Sequence, residues 1–168
     1  MRTHIALGLA LLLSACGFHL RGQFSMPEYL QVLNIQVPKD ATQLKQQLQR
    51  MLEYSGVHEG KEGYHLIVTR ENITQQSSIF DPRVPLANTH VVYTLEYKVE
   101  SSDGKLRLTG RPILEQNDFQ SSPNQINGST AEMDLIVDEM RKDAVEQLGR
   151  RLEAIKPSQF TSYAGNAP

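Results

Sequence analysis

The side chain with the most distinctive chemistry in this sequence is its one cysteine, Cys16. A lone thiol has no partner for an internal disulfide, so the fold must rest on packing. Ser14 and Ala15 precede it, residues small enough for the backbone to enter a peptidase cleft. Before them runs an apolar stretch, Ile5–Leu13, behind the short basic start Met1-Arg2-Thr3-His4. That order is the order of a secretory leader. Residues 1–15 are therefore expected to be removed, leaving the thiol of Cys16 at the new N-terminus as a nucleophile. After cleavage four histidines remain, His19, His58, His65 and His90, and none has the spacing of a metal-ligand set. There is no Gly-x-Ser-x-Gly elbow and no glycine-rich phosphate loop. The carboxylates of the last third (Glu132, Asp134, Asp138, Glu139, Asp143, Glu146, Glu153) interleave with Arg141, Lys142, Arg150 and Arg151. This is the pattern of a solvated helix face rather than of an acid–base pair. The sequence reads as non-enzymatic, with no metal and no cofactor.

Charge and length narrow the class further. Of 17 Lys+Arg, Arg2 leaves with the leader, so 16 face 19 Asp+Glu. A mildly acidic balance does not suit nucleic acid, whose recognition needs a basic field. The 168 residues suffice for one modest core. Beyond residue 15 no stretch reaches the roughly 20 apolar residues of a spanning helix.

The elements that would position these groups follow from hydrophobic period. Residues 16–30 carry Gly17, Gly22 and Pro27 without a sustained period, and read as a tether. Val32, Leu33, Ile35 and Val37 form a β-like run stopped by Pro38. Asp40, with Gln43 three residues on, suggests a capping box opening a helix whose face is Leu44, Leu48, Met51 and Leu52, ended by Gly56. His65–Ile73, with Ser78 as its outer limit, is a second strand, parallel to the first if the unit is βαβ. Val91, Tyr93, Leu95, Tyr97 and Val99 alternate with polar neighbours and define a third strand with one buried face. Ser102-Asp103-Gly104-Lys105 makes a hairpin turn into a fourth strand, Leu106, Leu108, Ile113 and Leu114, interrupted at Gly110-Arg111-Pro112. Ser129 and Glu132 suggest a second capping box, opening a long helix with the stripe Met133, Ile136, Val137, Met140, Ala144, Val145, Leu148, Leu152 and Ile155, stopped by Pro157. The expectation is an α+β two-layer domain over residues 31–157, followed by a flexible tail, 158–168. Its order is β-α-β-β-β-α, a four-stranded mixed sheet with two amphipathic helices on one face.

Leu13-Ser14-Ala15-Cys16 resembles the lipobox of bacterial lipoproteins, in which the cysteine takes diacylglycerol and acyl chains. One chain is marginal as an anchor and stable attachment takes more than one. Gly17 stands where an aspartate would favour inner-membrane retention, so the resemblance implies the outer membrane, with the domain on the periplasmic side. Over residues 16–157 the chain also resembles the lipopolysaccharide-assembly lipoprotein family LptE, also called RlpB. The resemblance is carried by Cys16-Gly-Phe-His-Leu-Arg21, by the element order, and by Leu135-Ile-Val-Asp-Glu-Met140 followed by Ala144-Val-Glu-Gln-Leu148. It implies a non-enzymatic protein that sits as a plug in the β-barrel LptD, assists barrel assembly, and takes part in delivering lipopolysaccharide.

A parallel first strand pair would bring the connections Ser77–Asn88 and Asp118–Gly128 to the end of the sheet opposite the tether. Phe80, Asp81, Pro82 and Phe119 are then the expected contacts with the barrel. Arg83 is the only cation in those connections and the first candidate for a lipopolysaccharide phosphate; Lys98, Arg107 and Arg111 are further candidates. The rival reading is a membrane-tethered periplasmic module that binds an amphiphile without a barrel. It requires a space between sheet and helices, which close packing of Leu44, Leu48, Leu52, Ile136 and Met140 on Tyr93, Leu95 and Tyr97 would deny.

Overall fold

The computed structural model describes residues 24–79, 87–121 and 126–163. The elements are β1 (Val32–Gln36), α1 (Thr42–Tyr54), β2 (His58–Glu59), β3 (Tyr64–Ile79), β4 (Ala87–Glu100), β5 (Leu106–Thr109), β6 (Ile113–Ser121), α2 (Ile126–Glu153) and β7 (Thr161–Ser162). They form one seven-stranded sheet in the order β2-β1-β3-β4-β5-β7, with β6 also pairing with β4. β1 is parallel to β2 and β3; the other pairings are antiparallel.

The two-layer α+β arrangement agrees with expectation, and the strand count differs. β2 and β7 have only two residues each, too short for a period to be visible. The fourth strand is two strands: β6 pairs with β4 at Ala87–Leu95, and β5 pairs with it at Lys98–Glu100. Gly110 sets the break between them. A Cβ there would fall inside the Tyr97 ring, so the chain can pass this close only as glycine.

The core lies on one face of the sheet. Val91, Tyr93, Leu95, Tyr97 and Val99 are all buried, and they pack with Leu44, Leu48, Leu52, Met140, Ala144, Leu148 and Leu152 from the helices. Each buried Val, Leu or Met among them contributes about 1.5–3 kcal/mol, which drives the helices onto this face. The stripe of α2 fades toward its start, where Met133 and Ile136 are only partly buried.

Both expected capping boxes are absent. Ala41 precedes α1 with no side-chain cap, and Gln43 is drawn instead to Arg141 of α2. α2 begins at Ile126, which leaves Ser129 inside the helix. The chain also joins the body earlier than the sequence suggests. Phe24, Met26 and Leu30 are buried core residues, so residues 24–30 are packed rather than tethering. The Phe24 ring lies against Gly149, its N–H donates to Ser55 Oγ (3.2 Å), and Ser25 N–H donates to Glu153 (3.0 Å). At the other terminus Thr161 and Ser162 pair with β5, so the chain is held as far as Tyr163.

The β3–β4 register shifts between Val68 and Arg70. Before the shift Leu66 and Val68 stand opposite Val99 and Tyr97 on the helix side; after it Glu71 and Ile73 stand opposite Leu95 and Tyr93. One extra residue, Thr69, therefore turns the odd-numbered side chains inward.

The strands reach further from the N-terminal end than expected, to Ile79 in β3 and Ser121 in β6, while β4 starts at Ala87. Ile79 pairs with Ala87 and Ala87 with Ser121. Three strand ends thus meet at the pole opposite Phe24.

Candidate functional site

The inward turn of Glu71 builds a polar centre in the sheet–helix interface. Arg141 on α2 donates from Nε to Glu71 Oε1 (2.7 Å), and the two side chains are only 8% and 12% exposed. Tyr93 donates its hydroxyl to the same carboxylate oxygen (2.9 Å), and Arg141 donates from Nη1 to Gln43 Oε1 (3.0 Å). Burial, then the neighbouring Glu71 carboxylate, push the Tyr93 phenol well above its ordinary pKa, so it stays a neutral donor. Asp138 accepts from Gln47 Nε2 (2.8 Å) and pairs with Lys142 (2.7 Å); Lys142 is the leading cause holding its carboxyl below the usual value.

Gln43, Asp138 and Arg141 of this cluster also line a cleft of about 500 Å³, together with Ile73, Gln75, Met133, Asp134 and Val137. Some space therefore exists between sheet and helices, where α2 lifts away at the half-buried Ile136. Its rim carries Asp134 and Asp138, and the single guanidinium is already engaged by Glu71, which ill suits an anionic amphiphile.

Sequence reasoning placed Arg141 on a solvated face. The missed signal is that its i−4 and i+4 neighbours, Val137 and Val145, both belong to the apolar stripe. A charge at that position needs a buried partner.

The expected phosphate contacts do not converge. Lys98 and Arg107 lie on the helix-free face and share one carboxylate, Glu100 Oε1, at 2.8 and 2.6 Å. Burial raises the Glu100 pKa, but the hydrogen bonds and charges of Lys98 and Arg107 outweigh it and hold the group below its usual value. Arg107 also stacks on the Tyr163 ring, 3.3 Å from the centroid. Arg111 stands apart, exposed in the break between β5 and β6. Phe119 faces the helix side opposite Thr89, partly buried against the core, so part of its surface is committed to packing. Cys16, Phe80, Asp81, Pro82 and Arg83 lie outside the described residues.

The histidines have ordinary neighbours: His65 Nδ1 is 2.9 Å from Gln36 Nε2, and His90 Nδ1 is 2.8 Å from Asp118 Oδ1. Among the described residues no group of three His, Cys, Asp or Glu is placed to hold a metal, and no helix is long and apolar enough to cross a membrane.

Comparison with known proteins places this arrangement in a family. The family model described as lipopolysaccharide-assembly, LptE, matches residues 30–152, and the chain belongs to the LptE family. The LPS-assembly lipoprotein LptE of Pectobacterium atrosepticum (strain SCRI 1043) is 29% identical over 162 residues, covering 92% of this chain and 86% of that protein. Solved structures share the fold. The lipoprotein B of Nitrosomonas europaea aligns with a TM-score of 0.64 at 19% identity, covering 82% of this chain and 91% of that one. The rare lipoprotein B of Shewanella oneidensis aligns at 0.62 and 18%, covering 73% and 94%. A minor lipoprotein of Acinetobacter baumannii aligns at 0.59 and 16%, covering 82% and 98%.

Proposed function

We propose that this chain is an outer-membrane lipoprotein, anchored through acyl chains on Cys16 on the periplasmic side, that serves as the plug of a lipopolysaccharide translocon. It acts by binding and placement, within the barrel LptD, and assists assembly of that barrel and delivery of lipopolysaccharide. Residues 1–15 are the leader, those after Cys16 link the anchor to the body, and the body carries the contacts.

The observation supporting this reading is the gathering of Ile79, Ala87 and Ser121 at the pole opposite Phe24. A body leashed at one pole presents the other to whatever encloses it. The segment 80–86 and the connection after Ser121 both leave from that far pole. Phe80, Asp81, Pro82 and Arg83, together with Phe119, are the proposed contacts with barrel and lipopolysaccharide. Lys98 and Arg107 carry a net single positive charge once Glu100 is counted, and are secondary phosphate contacts on the open sheet face.

The test is affinity recovery of the tagged mature protein from solubilised membranes. Recovery of a large heat-modifiable barrel is expected; recovery of the lipoprotein alone would contradict the reading.

A further inference from the structure

A second cleft, of about 510 Å³, lies at the pole that carries Phe24, with Leu108, Gly110, Arg111, Arg151, Ala154 and Ile155 among its lining. No carboxylate side chain of the described residues lines it. Arg151 donates to the backbone carbonyls of Arg111 and Pro112 and to Gln147 Oε1 (2.8 Å), all neutral acceptors, and among the described residues no carboxylate pairs with it. The same bonds pin the Gly110–Pro112 segment, already pressed on Tyr97, so the exposed Arg111 leaves from a fixed backbone. Two arginines thus line a cleft that the apolar Leu108, Ala154 and Ile155 also line. That combination suits an amphiphilic anion, since guanidinium matches phosphate geometry and is weakly hydrated.

Position says which anion. Phe24 sits on Gly149, two residues from Arg151 along α2. The eight links from Cys16 to Phe24 can span at most about 29 Å even fully extended. An acylated Cys16 therefore holds this pole within about 29 Å of the leaflet that carries its chains, whereas the 28-residue α2 sets the opposite pole about 42 Å from this one. We propose that the cleft between Arg111 and Arg151 seats the phosphate of an anionic phospholipid of the anchoring leaflet, with its glycerol and upper acyl carbons against Leu108 and Ile155. This rests on the acylation of Cys16 but not on the barrel. It supplies a second membrane contact beside the acyl anchor and fixes the roll of the body about its leash.

The test is native mass spectrometry of the full mature acylated protein, released from neutral detergent after incubation with equimolar phosphatidylglycerol and phosphatidylcholine. Phosphatidylglycerol adducts should dominate. Arg111→Gln should cut that preference roughly tenfold, the loss of a charge-assisted contact, with an unchanged thermal melt. Arg150→Gln, on the same helix turn but paired with Glu146 outside the cleft, should leave the preference intact. Equal retention of the two lipids, an unaltered preference in Arg111→Gln, or an equal loss in Arg150→Gln would overturn the proposal. So would displacement of the lipid by millimolar inorganic phosphate or stronger retention of lipid A, which would assign the cleft to free phosphate or to lipopolysaccharide. A protein that recovers its barrel yet shows no phosphatidylglycerol preference fails here alone.

Discussion

Glu71 and Arg141 meet across the interface between sheet and helices, carboxylate oxygen to Nε at 2.7 Å, both nearly sealed from solvent. The pair joins the middle of β3 to the middle of α2, where the apolar stripe of the helix is thinning. A buried pair adds little net stability over an apolar replacement, but breaking it by halves strands a charge. Its role is to fix the seating of α2 on the strands.

Arg141→Leu alone should cost about 3–5 kcal/mol, because it leaves the Glu71 carboxylate buried with only Tyr93 to bond it. Adding Glu71→Leu should recover most of that loss. Equilibrium urea unfolding of the two variants measures the difference; equal loss in both would show that the charge was never sealed in.

Deleting Thr69 should be tolerated nearly as well as Thr69→Ala. Without the extra residue Val68 and Arg70 become regular ladder neighbours, still opposite Tyr97 and Glu96, so Glu71 and Ile73 keep facing the helices and the polar centre survives. The alanine variant keeps the extra residue and should stay within about 1 kcal/mol of the parent by the same unfolding measurement.

Phe24→Ala should cost about 3 kcal/mol, since the ring is buried against Gly149 and Leu-rich core surface. It should also free the chain end from the body. Hydrogen exchange at Phe24 and Ser25, whose amides are bonded to Ser55 and Glu153, should rise sharply while that of β4 is retained.

Glu100 makes a pH-dependent contribution. Its folded pKa lies below the ordinary 4.5, so the unfolded chain binds more protons in that window and stability rises with pH through it. The contribution is complete above about 4.5 and is lost as pH falls through the folded value. The difference in melting temperature between the parent and Glu100→Gln should therefore be steady at neutral pH and shrink below pH 4.5; a gap that widens in acid would reverse the assignment.

The legible part of the fold was the part with a long period. Val91 to Val99 alternates over nine residues, and Leu44, Leu48, Met51 and Leu52 repeat at helical spacing, so burial alone dictates both elements. Three kinds of feature were not legible. Caps are decided by tertiary competition, as when Gln43 is taken by Arg141. Residues 24–30 have no period, yet Phe24, Met26 and Leu30 find core positions individually. The shift at Thr69 leaves no mark in composition, although it decides which side chains of β3 face inward. The polar centre was hidden for that reason, and because Arg141 was grouped with the solvated charges of its helix rather than with Val137 and Val145. The meeting of strand ends at the far pole, by contrast, followed from the parallel β1–β3 pairing alone.

The far-pole account is tested most directly by placing a photocrosslinking amino acid at position 83 in intact cells, with a control at Glu62 near the leashed pole. Adducts from position 83 to a large outer-membrane barrel, and to lipopolysaccharide, are the result the account predicts, with Glu62 giving neither. Adducts confined to small periplasmic proteins, or a barrel captured equally well from both positions, would contradict it.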